Sequence, residues 1–322
     1  MKKLTKQIAS LAGLALMFAA FDALIYCTVT RRYINSTSPE MQAKSIEVSR
    51  YLPFDPDSEI VKADAPQKLS GDIPVIDGAA ALLPVYSAFV HAVYPPESVQ
   101  FDGENYTPES AMQYTNTRGA YQALANGTVD IVLCAKPSAE QKAYAEAQGR
   151  ALVYEPVARE AFVFLVNKDN PVDSLTAEQI RAIYAGDIKS WSEVGGRHIP
   201  IDAVQRNAGS GSQTSMLGFM GDTPMYRNPL GFFGSAIGYS FRYYAEGIVR
   251  NGGVKMLAVN GVSPDPEHIA DGSYPVTGDV LAVYDAHNDN PNIPVLLDFM
   301  RSETGQRIIA ESGYSPLNAS AS

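Results

Sequence analysis

Ile199-Pro200-Ile201-Asp202-Ala203-Val204-Gln205-Arg206-Asn207-Ala208-Gly209-Ser210-Gly211-Ser212-Gln213-Thr214 is the stretch on which the fold class turns. Ile199–Gln205 reads as a short strand and Gln213–Met220 as a helix, with a Gly/Ser loop between them. Two glycines let backbone N–H groups approach a ligand, and the helix start adds unpaired donors and the positive end of a dipole. Ser210 and Ser212 add hydroxyls, and Arg206 can offer a bidentate fork to an oxyanion. The loop therefore suits an anion, although a plain Gly/Ser turn beside a surface arginine fits the same residues.

The same strand–loop–helix unit recurs on either side. Ile73–Ile76 reads as a strand, Asp77-Gly78 as a turn, and Ala79–Tyr94 as a helix with Leu82, Tyr86, Phe89, Val90 and Val93 at helical spacing. Pro84 fits its first turn, and the loop can present the N–H groups of Ala80 and Ala81. Thr115-Asn116-Thr117-Arg118-Gly119 opens a second helix, Thr117–Asn126, which Asn126-Gly127 stops. Val129–Ala135 is an apolar strand, and Ser138–Gln148 a helix capped by Ser138. Arg159–Val166 and Val254–Val259 read as strands. Thr176–Tyr184, with a Thr176/Gln179 capping box, Pro294–Ser302 and Glu303–Glu311 read as helices. This alternation predicts an α/β protein with two open sheets and ligands at the carboxyl ends of strands. Three polar helix starts can converge on one ligand. The Tyr239–Tyr244 cluster can line a cleft.

Of 322 residues, 25 are Lys or Arg and 35 are Asp or Glu, a net charge of −10. Residues 1–32 hold five of the bases and one acid, leaving 20 bases against 34 acids, a net of −14, in the rest. That excludes a broad basic surface for nucleic acid. Lys2, Lys3 and Lys6 precede an apolar stretch, Ile8–Val29, interrupted by Asp22. About 22 residues of helix would reach roughly 33 Å, enough for a bilayer. The terminus thus reads as an export signal: an uncleaved anchor, a cleaved peptide, or a lipoprotein signal at Cys27. Residues 31–70, broken by Pro39, Pro53, Pro56 and Pro66, read as a stalk. Cys27 and Cys134 fall in dissimilar segments, which argues against a disulfide between them. His91, His198, His268 and His287 lack metal-ligand spacing, and neither a nucleophile elbow nor a nucleotide-binding loop occurs. No cofactor, metal or catalytic residue is expected. Asp130, at a strand entry, reads as a turn or cap residue.

In order along residues 71–318, several segments together resemble the phosphate-binding proteins of ABC importers, within the type II periplasmic binding protein fold. They are Ile76-Asp77-Gly78 through Pro84-Val85-Tyr86, Asn126-Gly127-Thr128-Val129-Asp130, and Asn167-Lys168-Asp169-Asn170-Pro171. Leu175-Thr176, Ile183–Trp191, Arg206 with Gly209–Ser212, Gly305-Gln306 and Gly313-Tyr314-Ser315-Pro316-Leu317 follow. The resemblance implies a phosphate site at Ala80, Ala81, Asn116, Thr117, Arg206, Ser210, Gly211 and Ser212. Ala80 and Ala81 stand where the family often has a hydroxyl residue. The aspartate with which well-known members accept a proton from phosphate corresponds to Ala135, in Leu133-Cys134-Ala135-Lys136-Pro137. Lys136 beside it either donates to the ligand or points into solvent.

The resemblance implies a hinged, two-lobed α/β trap preceded by an N-terminal hydrophobic helix. Residues 1–30 would be signal or anchor, 31–70 linker, 71–158 and 264–322 the first lobe, and 159–263 the second. Crossings near Glu155–Arg159 and Val259–Pro264 would form the hinge. The implied function is extracytoplasmic capture of inorganic phosphate, or a similar oxyanion, for an ABC importer permease, with the membrane met through the N-terminal segment. The competing readings are a tethered oxyanion sensor or adhesion domain, and a phosphate-ester hydrolase.

Overall fold

The structure, a computed structural model, describes residues 17–22, 46–226, 235–249 and 253–317. The chain divides into residues 1–40, of which only a helical stretch at 17–22 is described, and one compact unit, residues 41–322. Most of the expected signal or anchor therefore lies outside the described residues. Among those described, no helix is long and apolar enough to cross a membrane.

The strands are β1 (Ile76–Gly78), β2 (Ile131–Cys134), β3 (Leu152–Asn167), β4 (Ser174–Leu175), β5 (Ile201–Ala203), β6 (Ser235–Phe241), β7 (Val254–Met256), β8 (Ala258–Val259), β9 (Thr277–Asp285) and β10 (Ser315–Pro316). Together with the helices they build the expected two-lobed, mixed α/β fold. Two separate sheets were expected. Instead, the described strands form one eight-stranded sheet in the order β1-β2-β9-β3-β6-β5, with β7 and β10 also on β3, and a small β4–β8 pair. The reason is β3, which runs 16 residues where the sequence pattern predicts eight. Its first part ladders antiparallel to β9 from Leu152↔Asp285 to Ala161↔Thr277. Its last part ladders to β6 from Phe162↔Phe241 to Val166↔Ile237. A register shift falls between Pro156 and Ala158, within the expected first crossing. Pro156 has no N–H to give the ladder, which suits a bulge there.

Two principal cores flank this strand. One gathers Ile76, Leu83, Tyr86, Phe89, Val157, Leu296 and Ile308. The other gathers Phe164, Ile180, Tyr184, Trp191, Leu257, Ile269 and Tyr274. The Tyr274 hydroxyl donates to the Phe162 carbonyl at 3.0 Å. The apolar packing therefore keeps Ile269 and Tyr274 with the second core, and the chain returns to the first core nearer Thr277 than residue 264.

Local chemistry explains the other differences. β1 starts at Ile76, not Ile73, because Pro74 has no N–H and the Val75 N–H donates to the Asp130 carboxylate at 2.7 Å. Asp130, expected as a turn or cap residue, instead bridges distant segments, since its carboxylate also accepts from the Asn288 side-chain amide at 2.7 Å. The helix expected from Ala79 begins as a 3₁₀ turn, Ala80–Leu82, and continues as α-helix over Leu83–Val93 with Pro84 in its first turn. The helix Gly211–Met220 starts two residues early because Ser210 caps it. Ser138 with Gln141, and Thr176 with Gln179, form capping boxes. β6 and β9 were not legible as strands, since Ser235, Gly238 and Ser240 in one and Gly278-Asp279 in the other interrupt the apolar run.

Trp191 is fully buried in the second core, its indole N–H donating to the Ser235 carbonyl at 2.9 Å. Trp191→Ala should lower unfolding stability by about 3–5 kcal/mol, read as an earlier urea midpoint at unchanged slope.

Candidate functional site

All eight residues expected to hold the ligand line a single cleft of about 220 Å³, together with Ala79, Arg118, Asn207, Ser240, Phe241 and Tyr244. Three chain starts meet there: the 3₁₀ turn at Ala80, the helix Asn116–Asn126 and the helix Gly211–Met220. The last two come close. A Cβ on Gly211 would lie 3.4 Å from the Thr117 hydroxyl oxygen and 3.5 Å from the Phe241 ring.

The first two starts carry no side-chain cap. Their leading N–H groups have no acceptor within their own turns, so they are available to an anion. At the second, the residue that would ordinarily cap the helix is spent elsewhere. The Thr115 hydroxyl donates to the Asp77 carboxylate at 2.5 Å, and the Thr115 N–H donates to the same group at 3.0 Å. The Gly78 N–H adds a third bond at 2.7 Å. Asp77 is fully buried, and burial pushes its carboxyl up to about 6 although all three hydrogen bonds pull it down. It ties the first loop to the second. Gly78 is needed beside it because a Cβ there would stand 2.7 Å from the Leu133 carbonyl oxygen. Asn116 then enters its helix at a φ of 64°, a left-handed conformation that costs a non-glycine residue energy and tends to occur at binding sites.

The third start is different. The Ser210 hydroxyl accepts from the Gln213 N–H at 3.2 Å and donates to the Asn207 carbonyl at 2.9 Å. Its proton is therefore engaged in the loop, not offered to a ligand, and Ser212 is the hydroxyl of this loop left to face the cleft. The preceding turn uses Gly209 at a φ of 77°, and its carbonyl accepts from the Gln141 side chain at 3.2 Å. Arg206, 8% exposed, is held through its backbone N–H, which donates to Gln213 at 3.0 Å and to the Tyr239 hydroxyl at 3.1 Å. Tyr239 in turn donates to Gln213. So the Tyr239–Tyr244 cluster splits: Tyr239 supports the arginine from behind, and Ser240, Phe241 and Tyr244 line the cleft.

Lys136 does not line this cleft. It lines a neighbouring cavity of about 450 Å³ with Phe162, Thr214, Phe219, Phe241 and Asp279. Arg118 joins Arg206 as a second arginine at the cleft. As supports, Asp77, Gln213 and Tyr239 had only indirect signals in the sequence: the Asp-Gly turn, the position after the Gly/Ser loop, and the Tyr239–Tyr244 cluster. The four histidines lie elsewhere: His91 bonds the Pro53 carbonyl, His198 bonds Ser192, His268 sits by Ser263 and Asp265, and His287 by Asp285. Among the described residues no cluster could hold a metal ion.

Known proteins share both sequence and architecture with this chain. It is 24% identical over 177 residues to the phosphate-binding protein PstS of Borreliella burgdorferi, an overlap of 49% of this chain and 63% of that protein. It is 25% identical over 269 residues to the protein of the same name in Bacillus subtilis, covering 79% of this chain and 84% of that one. A Clostridium perfringens protein described as a phosphate ABC transporter substrate-binding protein, solved with bound phosphate, superposes with a TM-score of 0.54. That alignment covers 76% of this chain and 98% of the Clostridium protein at 24% identity, a likeness of fold. A family profile for the PBP superfamily domain matches residues 74–303, most of the compact unit, and the chain belongs to that superfamily.

Proposed function

We propose that the chain captures inorganic phosphate, or an oxyanion of the same shape, in this cleft and delivers it to an ABC importer. The observation that carries the reading is the meeting of two uncapped chain starts, the Gly211 helix start and Arg206 around one small space. The relatives named phosphate-binding proteins support the choice of anion. Residues 71–158 and 277–322 would form one lobe and 159–276 the other, hinged at the bulged part of β3 and near Thr277, where the chain returns to the first core. Ala80, Ala81, Asn116 and Thr117 would then donate from the first lobe, and Arg206, Gly211 and Ser212 from the second. Closure excludes water, and in that drier space each N–H and the guanidinium interact more strongly with the anion than they would in bulk solvent. No bond is made or broken, so the protein acts as a binder, not an enzyme. The N-terminal apolar segment would place it outside the cytoplasm, held at the membrane or released.

Calorimetric titration of the full chain with phosphate tests the reading, and absence of any binding heat or competition would sink it. Arg206→Ala should weaken phosphate binding roughly 10–100-fold, the worth of a charge-assisted pair of hydrogen bonds. The two serines should separate by assay. Ser210→Ala should cost about 0.5–2 kcal/mol of unfolding stability as a lost helix cap. Ser212→Ala should leave the urea midpoint in place and weaken phosphate binding about fivefold, the worth of one neutral hydrogen bond.

A further inference from the structure

Sharing a wall with the cleft is a smaller cavity of about 20 Å³, lined by Ala79, Ala81, Thr117, Gly211 and Phe241 of the cleft wall and by Glu160 of β3. Glu160 is 6% exposed. One of its carboxyl oxygens, Oε1, accepts from the Tyr243 N–H at 3.3 Å, and the other, Oε2, is buried with no hydrogen-bond partner. Burying a carboxyl oxygen without a partner carries a desolvation cost, so such a group in a binding protein calls for a ligand atom. The strand places it there: Glu160 pairs with Gly278 next to the point where β3 changes partners from β9 to β6.

We propose that Glu160 is the floor of the oxyanion site and sets its preference among anions, its Oε2 taking a hydrogen bond from a protonated ligand oxygen when ionised and giving one to a bare oxygen when neutral. This rests on the oxyanion reading above and supplies the carboxyl that the residue at Ala135 lacks. Burial pushes the Glu160 carboxyl up to about 8, against the pull of the Tyr243 N–H and of Arg242. The groups facing it are Arg242, Tyr243 and Glu246 of the helix Arg242–Val249, Tyr314, and Asp279 of β9. Arg242 is paired to Glu246 at 2.5 Å, which limits how far it neutralises Glu160. The sign follows. Below about pH 8 the neutral carboxyl donates, and sulfate, which carries no proton, is admitted alongside phosphate. Above it, the carboxylate needs a proton from the ligand; hydrogen phosphate brings one and sulfate does not.

Calorimetric titrations of the full chain with phosphate and with sulfate, from pH 6.5 to pH 9, test this. Sulfate affinity should fall about tenfold over that range, and phosphate affinity should change less than about threefold, as expected for linkage to one proton. Sulfate binding at pH 8.5 should also take up a proton, seen as a dependence of the heat on buffer ionisation enthalpy. Glu160→Gln, whose amide donates at every pH, should bind sulfate with a flat profile and no proton uptake. A flat sulfate profile in the wild type, the same fall in Glu160→Gln, or no sulfate binding at any pH while phosphate binds would each overturn the role of Glu160 alone. Failure of both anions to bind would overturn the oxyanion reading with it. The wild-type profile and proton count decide the matter even if Glu160→Gln does not fold.

Discussion

A small oxyanion that leaves water brings several lone pairs on each oxygen, and every one left without a donor costs free energy. For the oxyanion capture proposed, that requirement would account for the organisation of this cleft. Donors must come from several directions, yet no single loop can surround a tetrahedral ion. Three chain starts are therefore aimed at one space, and two of them forgo the side-chain cap that would satisfy their leading N–H groups. Thr115 shows how that is arranged, because its hydroxyl goes to Asp77 and not to its own helix.

This also resolves the charge balance. A chain with net charge −10 is a poor partner for polyanions that need a broad basic surface. For the anion capture proposed, a compact site of backbone dipoles with the buried Arg206 and the exposed Arg118 would act over a few ångströms, where local donors outweigh a diffuse and screened surface charge. The acidic groups near the cleft are themselves restrained. Asp77 is wrapped by three donors, and Glu160 is held high enough by burial to be neutral over much of the physiological range.

Much of this was legible in the sequence for physical reasons. Helix starts announce themselves through short-range chemistry, so the Ser138 and Thr176 caps, the Gly/Ser loop and the 115–119 loop could be read directly. So could the convergence of Ala80, Asn116, Arg206 and Gly211. What was not legible depends on partners far apart in the chain. β3 reads as eight residues from its apolar run, but pairing with β9 carries it through Tyr154, Glu155 and Pro156. β9 itself hides behind Gly278-Asp279. Tyr239 reveals itself as a support only when β6 brings it to the Arg206 backbone, and Gln213 only when the turn at Gly209 sets the helix start back against that N–H. Glu160 sits in an apolar strand, where its sequence neighbourhood gives no sign that Oε2 is left unpartnered.

A crystal structure of the full chain grown with phosphate is the most direct test of the central claim. The account predicts one anion enclosed by the cleft, within hydrogen-bond reach of the Arg206 guanidinium, the N–H groups at Thr117 and Gly211–Ser212, and the turn at Ala80-Ala81. An anion bound elsewhere, or a cleft that stays unfilled at saturating phosphate, would contradict it.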